Sequence, residues 1–117
     1  MPYDFCKINI KYILDLSHNQ ISKLPKSFCE IRLKGDLDLS YNKIIKLPND
    51  IGKLNIGNIL DLSYNQISKL PFSFLKIKVG SNLIFKNNNF DILLLSELLP
   101  EFFNVKGILF IYDDILY

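Results

Sequence analysis

The 117-residue sequence contains no alanine, threonine or tryptophan, while isoleucine, leucine, asparagine and lysine abound. That bias marks an AT-rich coding sequence rather than a chemistry. It holds one histidine, His18, and two cysteines, Cys6 and Cys29, so zinc-ligand spacing is absent. Neither of the glycine-rich phosphate motifs, "GxxxxGK[ST]" and "GxGxxG", occurs. No apolar run reaches the about 18 residues that read as a membrane span. The opening "MPYDFCKINIKY" lacks the basic-then-apolar layout of a secretory signal, and the chain reads as cytoplasmic. Neither sign of charge dominates: the formal net charge is +2, with acids and bases interspersed. Such a balance points to neither nucleic acid nor an anionic membrane. Hydrophobic residues make up 49% of the chain, enough for a core in a single domain spanning 1–117.

What the sequence does contain is itself, repeated. Residues 14–25, 37–48 and 60–71 read "LDLSHNQISKLP", "LDLSYNKIIKLP" and "LDLSYNQISKLP". Asn19, Asn42, Asn65 and Asn88 stand 23 apart, as do Pro2, Pro25, Pro48 and Pro71. Cutting before each proline gives units 2–24, 25–47, 48–70 and 71–93, followed by an irregular unit, 94–117. In that last unit Leu109 and Ile111 align with the strand leucines and Asp114 with the asparagines, after an insertion. A register one residue earlier, with Ile108, Phe110 and Asp113, is nearly as good.

In "LDLS" apolar and polar residues alternate, the signature of a short strand with one buried face. Leu14 and Leu16 point inward; Asp15 and Ser17 point out. Alternation then breaks, and Asn19 and Ile21 come next to the inside. A buried asparagine must satisfy its amide, so the stacked asparagines read as a ladder bonding their own turn and the next. The following proline turns the chain again. The return leg, "KSFCEIRLKG" in the second unit, has apolar residues three and then two apart and reads as a helical turn or an extended segment. Phe5, Phe28, Ile51 and Phe74 form its core column. One unit buries almost nothing alone, whereas stacked units share a continuous core.

The pattern "LxLxxNxIxxLP" at a 23-residue period closely resembles the leucine-rich repeat, well over 2–93 and loosely over 94–117. One departure stands out. Where the usual pattern has a leucine before the strand, this chain has Lys11, Lys34, Gly57 and Gly80, with the apolar residue one place earlier. That marks a variant in which the chain enters the strand by a tight, glycine-containing turn. The resemblance implies an α/β-type repeat solenoid: a curved horseshoe with a parallel β-sheet of about five strands on the concave face and short helical or extended segments on the convex face. It also implies binding of another protein without catalysis.

Stacking turns each outward position into a column. The first reads Asp15, Asp38, Asp61, Ile84, Phe110; the second Ser17, Ser40, Ser63, Lys86, Tyr112; a third, at the lip, His18, Tyr41, Tyr64, Asn87, Asp113. The expected partner-binding face is Asp15, Asp38, Asp61, Tyr41, Tyr64, Ile84, Lys86, Phe110 and Tyr112, because tyrosine combines contact area with a polar tip and Ile84 and Phe110 interrupt a polar column. The plainer reading is a default repeat surface, with Asp and Ser hydrogen-bonding along the sheet. Three aligned carboxylates do not supply the six or so oxygens of a hard-cation site, so no metal and no cofactor is expected. Asp15, Ser17 and His18 are the letters of a nucleophile triad, but one short strand forbids its geometry, and the next two units repeat Asp-x-Ser without histidine. Cys6 and Cys29, one period apart, read as small buried hydrophobes, with a disulfide between neighbouring units as the alternative. The competing functional reading is self-assembly, as a homodimer or oligomer, through uncapped terminal units. The stretch "DILLLSELLPEFF" reads as a short helix begun by Asp91 that helps close the C-terminal end.

Overall fold

The structure, a computed structural model, describes residues 9–10, 12–89, 109–112 and 115–116. Each unit runs through two short strands separated by tight turns. In order they are β1 (Asn9–Ile10), β2 (Leu14–Asp15), β3 (Arg32–Leu33), β4 (Leu37–Asp38), β5 (Asn55–Ile56), β6 (Leu60–Asp61), β7 (Lys78–Val79), β8 (Asn82–Ile84), β9 (Leu109–Tyr112) and β10 (Ile115–Leu116). Among the described residues three short 3₁₀ turns, Lys26–Glu30, Ile51–Lys53 and Phe72–Lys76, follow Pro25, Pro48 and Pro71. The proline carbonyl closes each turn: Pro25, Pro48 and Pro71 accept from the N–H of Phe28, Ile51 and Phe74 at 2.9, 3.0 and 2.9 Å.

The strands sort into two sheets, where the sequence led us to expect one. The longer runs β2–β4–β6–β8–β9–β10, parallel except for the β9–β10 pair. A second, four-stranded sheet, β1–β3–β5–β7, is built from the return legs. Its cause lies in triplets such as Ile31-Arg32-Leu33 and Ile77-Lys78-Val79. Their apolar residues are two apart and buried, and the residue between them is exposed. That is strand alternation, too brief to see in one unit and realised only when the units pair.

The last strand corrects a second expectation. Phe110 pairs with Leu83 and Ile111 with Ile84, one residue later than the preferred alignment and two later than the alternative. Phe110 therefore takes the register of the strand leucines, and Ile111 follows Ile84 in the outward column. Residues 108–111 are all apolar, so no alternation was present to fix the register.

Between the sheets lies a core stacked in columns. Leu37, Leu60 and Leu83 form one; Leu39, Leu62 and Phe85 the next; Ile44 and Ile67, then Phe28, Ile51 and Phe74, follow around the coil, all nearly or fully buried. Leu14, Leu16 and Ile21 of the first unit are only partly buried. Cys29 is fully buried in this core. Cys6, and with it any pairing between the two cysteines, lies outside the described residues, as do Asp113, Asp114 and the expected helix from Asp91. Adjacent coils approach so closely at the corner that a Cβ on Gly80 would stand 1.9 Å from the Gly57 carbonyl oxygen. Only glycine fits there.

Candidate functional site

The outward face of the longer sheet begins with how each strand stops. Asp15, Asp38 and Asp61 turn one carboxylate oxygen back onto their own strand. Asp15 Oδ1 accepts from the Ser17 N–H at 2.9 Å and the Ser17 hydroxyl at 2.5 Å. Asp38 does the same with Ser40 and Asp61 with Ser63. The Asp–Ser bonds of the default-surface reading are thus present, and each runs within its own strand. Ser40 and Ser63 are buried rather than displayed. The two hydrogen bonds from Ser17, with the positive potential of nearby His18, hold the Asp15 carboxyl below its ordinary range.

With the serine N–H engaged, asparagine supplies the next bonds between units. The Asn42 amide donates to the Leu39 and Ser40 carbonyls of its own turn, at 3.0 and 3.1 Å, and to Leu16 of the preceding unit at 3.0 Å. Its oxygen accepts from the Ile21 N–H at 3.1 Å. Asn65 repeats this set with Leu39, Leu62, Ser63 and Ile44, and Asn88 with Leu62, Phe85, Lys86 and Ile67. Asn19 is exposed and donates to Leu16 and Ser17 of its own unit.

Between serine and asparagine the backbone turns through the left-handed region. His18, Tyr41, Tyr64 and Asn87 have φ of 56°, 55°, 56° and 57°. Asparagine tolerates this; histidine and tyrosine do so at a cost of roughly 1–2 kcal/mol. The reward is a stack. The His18 and Tyr41 rings lie 4.3 Å apart at 10°, and those of Tyr41 and Tyr64 4.2 Å apart at 8°. A hydrogen bond with Tyr64 raises the Tyr41 hydroxyl above its ordinary pKa. Partial desolvation and nearby Asp61 act in the same direction, and Lys86 acts against them. Tyr41 and Tyr64 remain 45% and 38% exposed, so the stack is a ridge and not core.

A shallow groove of about 630 Å³ runs along this ridge. Its floor holds the ladder asparagines, and Gln20, Lys43 and Gln66 line it with the stacked rings. Those three were missed from the sequence, although they too recur at 23 residues, directly after the asparagine. Of the other expected face residues, Ile84 and Lys86 are half-buried, with Ile84 in register with Asp61. The β8–β9 register removes Phe110 and Tyr112 from that face: Phe110 takes the place of Leu83, Tyr112 that of Phe85, and Ile111 the outward place beside Ile84. Among the described residues no group of His, Cys, Asp and Glu is arranged to hold a metal ion, and no helix is long and apolar enough to cross a membrane.

Comparison with known families gives one match. A family model described as Leucine Rich Repeat fits residues 12–31, 36–54 and 58–77, together half of the chain. No curated protein matches it.

Proposed function

The chain belongs to the leucine-rich-repeat family, and from that premise we propose that it is a non-catalytic module that binds a protein partner on the outward face of its longer sheet. Proteins of this family generally mediate protein–protein contacts. In this reading the face is the concave side of a curved coil. Tyr41 and Tyr64 are its centre, Asp15, Asp38 and Asp61 its acidic flank, and Ile84 and Lys86 its far end, with Ile111 of β9 next in register. One observation carries the proposal: two tyrosines held in a left-handed backbone, stacked and yet exposed. A default surface needs neither the strain nor the rings, as Asn87 in the same column shows.

The test uses Asn87 as its template. Tyr41→Asn and Tyr64→Asn suit the left-handed backbone while removing the ridge. Once a partner is captured from the source cell, both variants should fold and bind it at least about tenfold more weakly, as central aromatic contacts do. Unchanged affinity in both would sink the reading. Asp38 and Asp61 are poor probes, since each anchors its own strand end.

Self-assembly is the second reading. One observation favours it: β1 and β2 stand at the ends of their sheets, each with one edge facing no described strand. Light scattering over a concentration series separates the two. A 13.6 kDa particle throughout leaves partner binding alone.

A further inference from the structure

The shorter sheet carries a face of different chemistry. Its outward positions are Arg32 on β3, Asn55 on β5 and Lys78 on β7, paired in register. Leu33, Ile56 and Val79 alternate with them and are buried. A cleft of about 510 Å³ opens over this row, lined also by Glu30, Gly52 and Lys53. Asp50 engages Lys26 at 3.5 Å and Lys53 at 3.9 Å. Among the described residues neither Arg32 nor Lys78 has an ion-pair partner. The near-zero total charge thus hides a sorting. Acids stand at three outward strand positions of the longer sheet, Asp15, Asp38 and Asp61, and bases at two of the shorter, Arg32 and Lys78.

We propose that this cleft is a second docking site, independent of the tyrosine ridge, for an acidic stretch of polypeptide. Arg32 and Lys78, with Lys53 already shared with Asp50 and Glu30 the one carboxylate among the described lining residues, supply the charge complementarity. Arg32 presents a planar fork that matches a carboxylate with two hydrogen bonds. Lys78 stands two strand steps away, about 10 Å, and takes a second carboxylate. Asn55 lies between them with one acceptor and two donors, the complement of a peptide group. Nucleic acid fits less well. A single strand is held by bases stacking on aromatics along a basic groove, and among the described residues no aromatic side chain lines this cleft.

The experiment is fluorescence anisotropy with a labelled oligoglutamate peptide, against oligoglutamine of equal length and oligothymidylate. The expected result is binding of oligoglutamate alone, weakening as salt rises. Amide shifts should gather at Arg32, Asn55 and Lys78 and leave Tyr41 and Tyr64 still. Arg32→Gln with Lys78→Gln should weaken binding about tenfold, with circular dichroism confirming the fold; Lys78→Gln alone is the milder variant should the pair unfold. Tyr64→Asn should bind the peptide as before. The proposal is overturned by no binding of oligoglutamate, by equal binding of oligoglutamine, by tighter binding of oligothymidylate, or by affinity indifferent to Lys78. It is overturned too if the cleft is closed by a second copy of the chain, seen as self-association that Arg32→Gln with Lys78→Gln abolishes.

Discussion

Asn42 makes four hydrogen bonds from one buried side chain, two of them to the preceding unit. Asn42→Ala leaves the Ile21 N–H without its acceptor, takes one donor each from the Leu16, Leu39 and Ser40 carbonyls, and should cost ~1–3 kcal/mol. Asn49, exposed in a turn, is the fitting control, whereas Asn55 is half-buried in β5. Thermal melts should separate Asn42→Ala from Asn49→Ala clearly, and equal midpoints would refute the ladder. Asp15 offers a test by pH. Its folded pKa lies below its ordinary value, so its contribution to stability is present above about pH 4 and is lost as pH falls through the folded value. A carboxyl NMR titration should place the Asp15 midpoint low, and Ser17→Ala should move it back toward the usual range. At Tyr64 two effects of similar size oppose each other. Asparagine relieves the left-handed backbone but forfeits the ring stack, so Tyr64→Asn should leave stability within about 1 kcal/mol of the parent.

At the scale of elements, the corner between the two strands of a unit is the tightest point. A methyl group on Gly80 meets backbone oxygen, which cannot swing aside as a side chain would. Gly80→Ala should therefore destabilise by about 1–3 kcal/mol, read as a shifted denaturation midpoint with an unchanged slope. The longer sheet was legible in the sequence because "LDLS" alternates, recurs and ends at a fixed asparagine. The shorter one was not, since two residues of alternation per unit fall below what a single unit can show. The left-handed corner was hidden for another reason: tyrosine and histidine are not residues that announce it, and only Asn87 is. The role of Asp38 was half legible. Its column was plain, but a carboxylate bonded to its own strand looks in sequence just like one offered to solvent.

The whole molecule is a row of joints, and its stability should vary along the row. Leu39 and Leu62 are buried with neighbours on both sides, whereas Leu14 and Leu16 of the first unit are partly exposed. Amide exchange should be slowest at Leu39 and Leu62 and fastest, among the strand amides bonded between units, at Leu14 and Leu16. Uniform rates would instead show that the units open together. The asparagine ladder sets a further property of the molecule. Asn42, Asn65 and Asn88 each reach back the same 26 residues to a leucine carbonyl, and each accepts from an isoleucine N–H the same 21 residues before it. Every coupling is thus interchangeable with the next. A tandem duplication of one 23-residue unit within the gene inserts a carriage that already fits the couplings on both sides. The protein's length is for that reason a dial that heredity can turn in single clicks, each lengthening the longer sheet by one strand spacing, about 4.8 Å.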